Sequence, residues 1–324
     1  MGGVTRKDVA LRAGVSETVV SYVLNRNRYV DADKRRRVLS AVKELGYVPS
    51  PLARALKGKG SGRILLVTDH LESDHFVSLV SEMEKRASQE GLSVSLCRWH
   101  PGQAFLQNIL QSGYDGVLVG STTMDDASVQ NLIDSGMAVV VLEIKERAGR
   151  SGRYGIINSG LYQGALAAMD ALRKRGRKKI VYVSSLGALE PEDFRYRAYV
   201  EKVDSPRLVC GAMDDRELGQ KVKNLWEENP FDGLFCRTDY VACVAMHALL
   251  SLGVRIPDQV SICGFDDAWC GRCMFPTLTT VHIRRDLMAQ NAMELFSLLA
   301  RKEEGAIKPI RIELQTQFVT RESL

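Results

Sequence analysis

The sequence predicts two structural units, a small all-α head followed by a larger α/β body. Within residues 1–47, apolar residues recur at helical spacing between short polar caps, whereas from residue 62 onward β-type and helical segments alternate. Charge divides the chain at the same place. Residues 1–60 hold 13 Lys and Arg against 5 Asp and Glu, and the remaining 264 residues hold 31 against 34. A basic head on a slightly acidic body is typical of a polyanion-binding unit joined to a unit with another task.

The head is predicted to contain three helices. Thr5, Ser16 and Asp31 are suited to cap the amino ends of these helices. Gly14 breaks the chain after the first helix, and Gly46 can end the third. The apolar positions expected to form the core of the head are Val9, Ala10, Ala13, Val20, Val23, Leu24, Val38, Ala41, Val42 and Leu45.

A helix, a short turn with glycine, a second helix and a supporting helix form a helix-turn-helix arrangement. The outer face of the second helix is polar, which favours DNA binding over a generic small helical bundle. Glu17 has two open interpretations: it can accept a hydrogen bond from a cytosine amino group, or it can complement the positive end of its own helix. The basic run at 34–37 is interpreted as solvated or phosphate-facing charge rather than as base readers.

VTRKDVALRAGVSETVVSYVLN at 4–25 and VDADKRRRVLSAVKELGYVPSPLARALKGK at 30–59 resemble the head of the lactose-repressor (LacI/GalR) family of bacterial transcription regulators. The resemblance implies a ligand-responsive, sequence-specific repressor that binds a palindromic operator as a homodimer. Val19 and Tyr22 depart from the family, which usually has threonine at the first position and often arginine at the second, so the operator sequence is not predicted. By position, the resemblance implies DNA contacts from Thr5, Arg6, Lys7, Ser16, Glu17, Thr18, Ser21, Tyr22, Asn25, Tyr29, Ala53, Arg54 and Leu56.

Residues 48–61 are predicted to be a hinge helix and linker. Ser50 can cap this helix and Pro51 can occupy its first position, but two turns of helix are too short to persist alone in water. Ala53 and Leu56 share one face. We expect that face to pack against the hinge of the symmetry mate and then against a DNA minor groove, where Leu56 can wedge open a base step.

The body, residues 62–324, is predicted to contain parallel sheets with helices on both faces. The resemblance continues more thinly here and implies two Rossmann-like subdomains of the periplasmic-binding-protein-like type with a ligand cleft between them. The expected subdomains are 62–176 plus 283–310, and 177–282 plus 311–324. No GxGxxG or Walker A pattern follows a strand, so a nucleotide-dependent enzyme has no support, and no cofactor is expected.

The effector-binding candidates are Arg195, Thr238, Asp266 and Arg285. By the resemblance, Arg195 and Asp266 stand where the family places a ligand-binding arginine and an acidic ligand residue. The guanidinium of Arg195 supplies several donors and the carboxylate of Asp266 supplies acceptors, which suits a polyhydroxylated ligand. The alternative is that the two residues form a salt bridge at the surface. Thr238, Met213 and Arg285 depart from the family, which commonly has asparagine at the first position and has aromatic residues near the other two. The effector is expected to be a sugar or a related small metabolite, but these departures do not support a hexose, and an anionic sugar derivative, a non-sugar ligand or no effector at all are left open.

The stretch WCGRC at 269–273 offers an alternative function, a redox-modulated regulator or a dithiol oxidoreductase that uses Cys270 and Cys273. Its position late in the chain does not match the early strand and long helix that such chemistry requires, so two unpaired cysteines are favoured. The five histidines show no metal-ligand spacing, and no metal site is expected. Seven cysteines fit reduced thiols, and the charged start without a membrane-length apolar run predicts a cytoplasmic protein.

Overall fold

The computed structural model describes residues 4–25, 28–47, 60–145, 151–185, 193–210, 214–300 and 308–324. These residues form two compact units that divide between Gly62 and Arg63. The first unit is the head, and the second is the body. Among the described residues, no helix is long and apolar enough to cross a membrane.

The head contains helices α1 (Arg6–Ala13), α2 (Glu17–Asn25) and α3 (Ala32–Leu45). The predicted caps are confirmed. Thr5 and Asp8 form a reciprocal capping box, in which the Thr5 hydroxyl accepts from the Asp8 amide at 3.4 Å and the Asp8 carboxylate accepts from the Thr5 amide at 2.8 Å. Ser16 Oγ accepts from the Val19 amide at 3.3 Å, and the Asp31 carboxylate caps α3.

The core of the head is the predicted one. Val9, Val20 and Val38, one from each helix, are fully buried and pack together with the alanines of α1 and α3. Leu24, Val42 and Leu45 are partly buried against this cluster. The turn between α1 and α2 passes through Gly14 at φ 63°, a left-handed conformation that glycine adopts at little steric cost.

The strands of the body, in chain order, are β1 (Arg63–Thr68), β2 (Ser93–Arg98), β3 (Gly116–Gly120), β4 (Ala138–Leu142), β5 (Gly155–Asn158), β6 (Ile180–Val183), β7 (Arg207–Val209), β8 (Gly233–Cys236), β9 (Ser261–Cys263), β10 (Thr280–His282), β11 (Ile310–Glu313) and β12 (Gln317–Val319). The helices of the body are α4 (Asp74–Glu90), α5 (Gln103–Gln111), α6 (Asp126–Asp134), α7 (Leu161–Lys174), α8 (Phe194–Glu201), α9 (Asp215–Glu228), α10 (Asp239–Leu250), α11 (Trp269–Cys273) and α12 (Arg285–Leu299).

The body has two parallel sheets, as the alternation of strands and helices predicts. The large sheet has the order β11-β5-β4-β3-β1-β2 and the small sheet has the order β7-β6-β8-β9. Strands β3 and β4 are buried along their whole length, which explains their unbroken apolar sequences GVLVG and AVVVL. A two-stranded antiparallel ribbon pairs β10 with β12.

The chain passes between the two sheets at points that differ from the predicted boundaries. Helix α7, expected in the first subdomain, packs on α8 and on the strands β8 to β10 instead. Gly164 allows this contact, because a Cβ there would lie 2.6 Å from Thr316 Oγ1 and 2.7 Å from Val281 Cγ1. Strand β11, split by the predicted boundary at 310/311, pairs with β5 over its whole length. Each of these segments follows the sheet on which its apolar side chains are buried.

Two lobes of the body follow from this packing. The large-sheet lobe comprises residues 63–158 and 285–313, and the small-sheet lobe comprises 161–282 and 317–324. The chain therefore passes between the lobes after β5, after β10 and after β11. One continuous apolar cluster has members in both lobes, such as Leu66 of the large-sheet lobe and Tyr182 of the small-sheet lobe.

Candidate functional site

The outer face of α2 is accessible in the head. Glu17 and Thr18 are exposed, and Ser21 and Tyr22 are partly exposed. The Arg28 guanidinium lies 5.3 Å from the centre of the Tyr22 ring, which brings a cation beside this face. Helix α2 thus presents hydroxyl and phenol groups that can donate to phosphates or bond base edges, and a carboxylate that can accept from a base amino group.

Other predicted DNA-binding residues surround this helix. Lys7 and Ser16 are exposed, and Tyr29 is 95% exposed. Arg6 is partly exposed, and its Nε atom is buried without a hydrogen-bond partner in the described structure. The hydroxyl of Thr5 donates to Asp8 at 2.7 Å as part of the capping box, so any contact with DNA must use its remaining acceptor capacity.

Basic side chains on α3 are divided between ion pairs and open positions. Arg36 contacts Asp33 at 2.5 Å and Arg37 lies 4.0 Å from the same carboxylate. Lys34 and Arg35 are exposed and form no ion pair with any residue that the structure describes. Ala53, Arg54, Leu56 and Met213 lie outside the described residues, as does the Asn25 side chain, so their predicted roles are not tested.

In the body, polar side chains gather at the carboxyl ends of the parallel strands. Arg237 follows β8, and Asp266 follows β9 after two residues. His75 and Arg195 lie in the first turns of α4 and α8, and Arg285 begins α12. Because parallel strands end at one edge of a sheet and the next helices begin there, this edge is where ligands of open α/β folds bind.

Three buried side chains form the rigid part of this cluster. Asp193, 5% exposed, accepts from Arg195 Nη2 at 3.1 Å, Arg195 Nε at 3.3 Å and Arg237 Nε at 3.1 Å. Arg195, also 5% exposed, donates to the carbonyl of Arg237 at 3.2 Å and lies over the Phe265 ring at 5.5 Å. The predicted alternative of a surface salt bridge between Arg195 and Asp266 is therefore wrong, because the carboxylate partner of Arg195 is Asp193.

Asp266 is 7% exposed, and its carboxylate forms no hydrogen bond within the described structure. Burial raises its pKa to about 6, although the charges of Arg195, Arg285 and Arg237 oppose the rise, and Asp74 adds to it. The backbone has φ 103°, a conformation that residues other than glycine rarely adopt. The amide of Asp266 donates to the Val281 carbonyl at 2.9 Å, which holds this geometry. Strained, desolvated carboxyl groups of this kind are common at functional sites.

Arg285 and Thr238 lie at the starts of two helices. Arg285 donates from Nη1 to the Asp266 carbonyl at 2.6 Å and from Nη2 to the Asp267 carbonyl at 3.3 Å. These bonds join α12 of the large-sheet lobe to a loop of the small-sheet lobe. Thr238 caps α10 through its hydroxyl, which accepts from the Val241 amide at 3.3 Å. Its sequence position beside Arg237 keeps it a candidate, although capping accounts for its presence.

Two members of the cluster were missed in the sequence. Nδ1 of His75 is buried without a partner in the described structure, and burial together with the charges of Arg285 and Arg195 lowers the His75 pKa to about 3. The hydroxyl of Tyr182 is likewise buried and unpartnered, and burial beside Asp193 raises its pKa. Neither residue carries a motif, because a tyrosine in KIVYVSS and a histidine before phenylalanine look like ordinary strand and helix residues.

A second polar group belongs to the fold rather than to the cluster. The Asp69 carboxylate accepts hydrogen bonds from Ser121 Oγ at 2.5 Å, Thr122 Oγ1 at 2.7 Å and Thr123 Oγ1 at 2.6 Å, and from the amide of Thr122 at 2.6 Å. Burial would raise the pKa of Asp69, but these bonds lower it overall. The carboxylate is thus saturated by the loop after β3, and it fixes that loop beside β1.

The cysteines do not form the pair that the redox alternative requires. All seven are free thiols; Cys273 is exposed, and the Cys270 thiol accepts a hydrogen bond from Cys243 instead. This bond lowers the Cys270 pKa and raises that of Cys243. In the part of the chain that the structure describes, no group of three or more His, Cys, Asp and Glu side chains has the arrangement of a metal site.

Comparison with known proteins gives family matches for both units. Residues 5–50 match the model of bacterial regulatory proteins of the lacI family, and residues 169–324 match the periplasmic binding protein-like domain. The ribose operon repressor of Halalkalibacterium halodurans is 31% identical over 330 residues, which cover 98% of this chain and 96% of that protein. The HTH-type transcriptional repressor PurR of Haemophilus influenzae (strain PittEE) is 29% identical over 335 residues, with 99% and 98% covered.

Solved structures show the same fold. The lac repressor dimer bound to operator and the anti-inducer ONPF superposes with a TM-score of 0.79 at 22% identity, with 99% of both chains covered. The complex of the transcriptional regulator CelR with cellobiose superposes with a TM-score of 0.69 at 23% identity, again over 99% of both chains. None of these comparisons supports a dithiol oxidoreductase.

Proposed function

Because the chain belongs to the lacI family of bacterial regulatory proteins, we propose that α2 of its head reads an operator and that the cluster in its body binds a small effector. The chain is a DNA-binding transcriptional repressor and not an enzyme. We further propose that it acts in the cytoplasm, where its DNA is.

The observation that carries the proposal is the exposed polar face of α2 in a head with an excess of cations. Glu17, Thr18 and Tyr22 are the proposed base readers. In the hinge, Ala53 and Leu56 are proposed to enter the minor groove. The proposed phosphate contacts come from Thr5, Arg6, Lys7, Ser16, Ser21, Asn25, Tyr29 and Arg54. The contacts with base edges specify the sequence, whereas the phosphate contacts supply affinity without sequence information.

We propose that the protein binds its operator as a homodimer. The lac repressor similar to this chain is a dimer bound to operator. Two heads related by a twofold axis read two half-sites, so the expected operator is a palindrome. We also propose that residues 1–47 form the reading head and that residues 48–61 form the hinge.

The effector is proposed to bind at the carboxyl ends of the strands, in contact with Arg195, Asp266, Arg285 and Thr238, and also with His75. Support comes from the buried polar atoms without partners and from the similarity to regulators solved with cellobiose and lactose. These residues come from both lobes. A ligand that contacts both lobes favours one relative orientation, and a shift in that population changes how the paired heads meet DNA.

The test is a selection from a random double-stranded DNA library by the purified full-length chain. A palindromic site should be enriched, and its affinity should fall steeply with added salt because bound phosphates release counterions. Thr18→Ala is expected to weaken binding to that site by about 5- to 150-fold, the loss of about 1–3 kcal/mol that one base contact provides.

The matched control is Ser40→Ala, which also removes an exposed hydroxyl from a helix of the head, but from α3. It should leave the affinity nearly unchanged. Enrichment of no symmetric sequence, or equal losses in the two variants, would count against the proposed reading face.

A further inference from the structure

Arg285 forms no ion pair with a carboxylate in the described structure, although its charge lies near enough to Asp266 to oppose the rise in the pKa of that carboxyl. Its guanidinium is half-buried, and the groups that accept its hydrogen bonds are the backbone carbonyls of Asp266 and Asp267. A guanidinium placed in a cleft loses hydration, and carbonyl oxygens compensate this loss less well than a carboxylate does.

Neighbouring arginines are different. Arg284, the preceding residue, pairs with Asp286 at 2.8 Å, and Arg321 pairs with Asp267 at 2.5 Å. The buried Arg195 and its neighbour on the same carboxylate are paired as well. The lack of a carboxylate partner is therefore particular to Arg285 among these arginines, and not a general feature of this edge of the sheets.

The surroundings of Arg285 favour an anion. His75 is close enough for the Arg285 charge to lower its pKa, and in the tautomer with the proton on Nδ1 it presents a buried donor without a partner. His75 lies in the first turn of α4, and Arg285 lies in the first turn of α12. Neither helix has a side-chain N-cap bond in the described structure. Both helices carry a carboxylate in the first turn, Asp74 in α4 and Asp286 in α12, and the Asp286 carboxylate accepts from backbone amides of that turn. The donors available to an anion are therefore the guanidinium and the imidazole rather than the helix ends.

Acceptor groups complete the cluster. The Asp266 carboxyl makes no hydrogen bond in the described structure, and Asp74 is near enough to raise the Asp266 pKa. Carboxylates without donors are suited to ligand hydroxyl groups. This cluster thus offers donors for an acidic group from Arg285 and an acceptor for hydroxyl groups from Asp266.

We propose that the effector is a small hydroxylated molecule with an acidic group, a carboxylate or a phosphate, whose oxygens accept hydrogen bonds from Arg285 and His75. This inference rests on the proposed function and narrows it, because a neutral sugar would leave Arg285 without an acidic group to accept its hydrogen bonds. The hydroxyl groups of the ligand donate to Asp266. Arg195, whose position is fixed by its hydrogen bonds to Asp193, contacts the part of the ligand between the acidic group and these hydroxyls.

The test compares matched acidic and neutral ligands in thermal unfolding of the full-length chain at constant ionic strength. The pairs are gluconate with glucose, galacturonate with galactose, and ribose 5-phosphate with ribose. Tryptophan fluorescence follows the body alone, because Trp99, Trp226 and Trp269 all lie in it. A ligand that binds only the native state raises the melting temperature, so the acidic members should raise it and the neutral members should not. The carboxylate ligands and the phosphate ligand are tested in separate arms of the experiment, so that the two kinds of acidic group are distinguished.

Variants at neighbouring arginines make the test specific. Arg285→Met should weaken binding of the active acid by about tenfold or more, since truncation removes a charge-assisted contact. Arg284→Met, which removes an arginine already paired with Asp286, should change it less than about threefold. Arg285→Lys, which keeps the charge, should retain part of the affinity. Each shift is measured from the ligand-free melting temperature of the same variant, so a loss of stability alone does not imitate the result.

A response to carboxylates alone or to phosphates alone supports the inference and identifies the acidic group. Neutral sugars that raise the melting temperature as much as their acids would overturn it, while the proposed function would stand. A chain that selects a palindromic operator but responds to no acid would also overturn it. Failure of the operator selection itself would instead count against the proposed function.

Discussion

Replacement of Asp266 by asparagine is expected to make the body more stable and less able to bind its effector. Asparagine has nearly the shape of a protonated aspartate, so it can fill the same buried position without a charge. The Asp266 pKa rises from 3.8 to about 6 in the folded protein. A difference of two pKa units corresponds to about 3 kcal/mol, the cost of keeping this carboxylate ionised in the cleft.

The sign of the pH dependence follows from proton binding. Between pH 4 and pH 6 the folded protein holds a proton on Asp266 that the unfolded chain has released, so this group makes stability fall as pH rises. Above pH 6 both states are ionised and the full cost is present. Asp266→Asn should therefore exceed the wild type by up to about 3 kcal/mol at pH 8 and should match it near pH 4.

The assay is urea unfolding of both proteins at pH 4, 6 and 8, followed by tryptophan fluorescence so that the signal comes from the body. The groups that face Asp266, namely Arg195, Arg237, Arg285 and Asp74, are the same in both proteins. The difference between the proteins thus isolates Asp266. A variant that is equally stable or less stable at pH 8, or a difference independent of pH, would refute the reasoning.

Three further substitutions test other parts of the structure. Asp193→Asn leaves two buried guanidinium groups without their shared carboxylate and should lower the unfolding free energy by about 3–5 kcal/mol, in contrast to the gain at Asp266. Gly264→Ala should cost about 1–3 kcal/mol, because its Cβ would overlap Asp239 Oδ1 and lie 2.9 Å from Leu278 Cδ2. Gly219→Ala is its control, because a Cβ at this helical position would lie 3.6 Å from Ala248 Cβ, an ordinary van der Waals contact, and the variant should be neutral or stabilising. Thr5→Ala removes the cap of α1 and should lower head stability by about 1 kcal/mol, measured by circular dichroism.

Local signals in the sequence were sufficient for most of the fold. Thr5, Ser16 and Asp31 cap helices because side-chain oxygens beside the first turn are a local property, readable without tertiary structure. The strands were equally plain, because segments such as GVLVG are apolar throughout and bounded by turns. The course of the chain between the lobes was not readable. Helix α7 packs against the small-sheet lobe, and the close approach at Gly164 is to Val281 and Thr316, which lie far along the chain.

The cluster in the body was predicted only in part. The resemblance pointed to Arg195 and Asp266, but it did not indicate that Asp193 would neutralise Arg195. The importance of His75 depends on a guanidinium 210 positions later in the sequence. Contacts of this kind form where strand ends from distant segments of the chain meet, so the periodicity and spacing of the sequence do not predict them.

The central claim is that the cleft controls the head. It is tested most directly by the affinity for the selected palindromic fragment, measured by fluorescence anisotropy with the full-length chain. The measurement is made with and without a saturating amount of the compound that most raises the melting temperature. We expect the operator Kd to change by about fivefold or more in the wild type, a coupling of at least about 1 kcal/mol, and we expect Arg285→Met to need about tenfold more compound for the same change. A compound that saturates the cleft and leaves the wild-type operator Kd unchanged would contradict the claim.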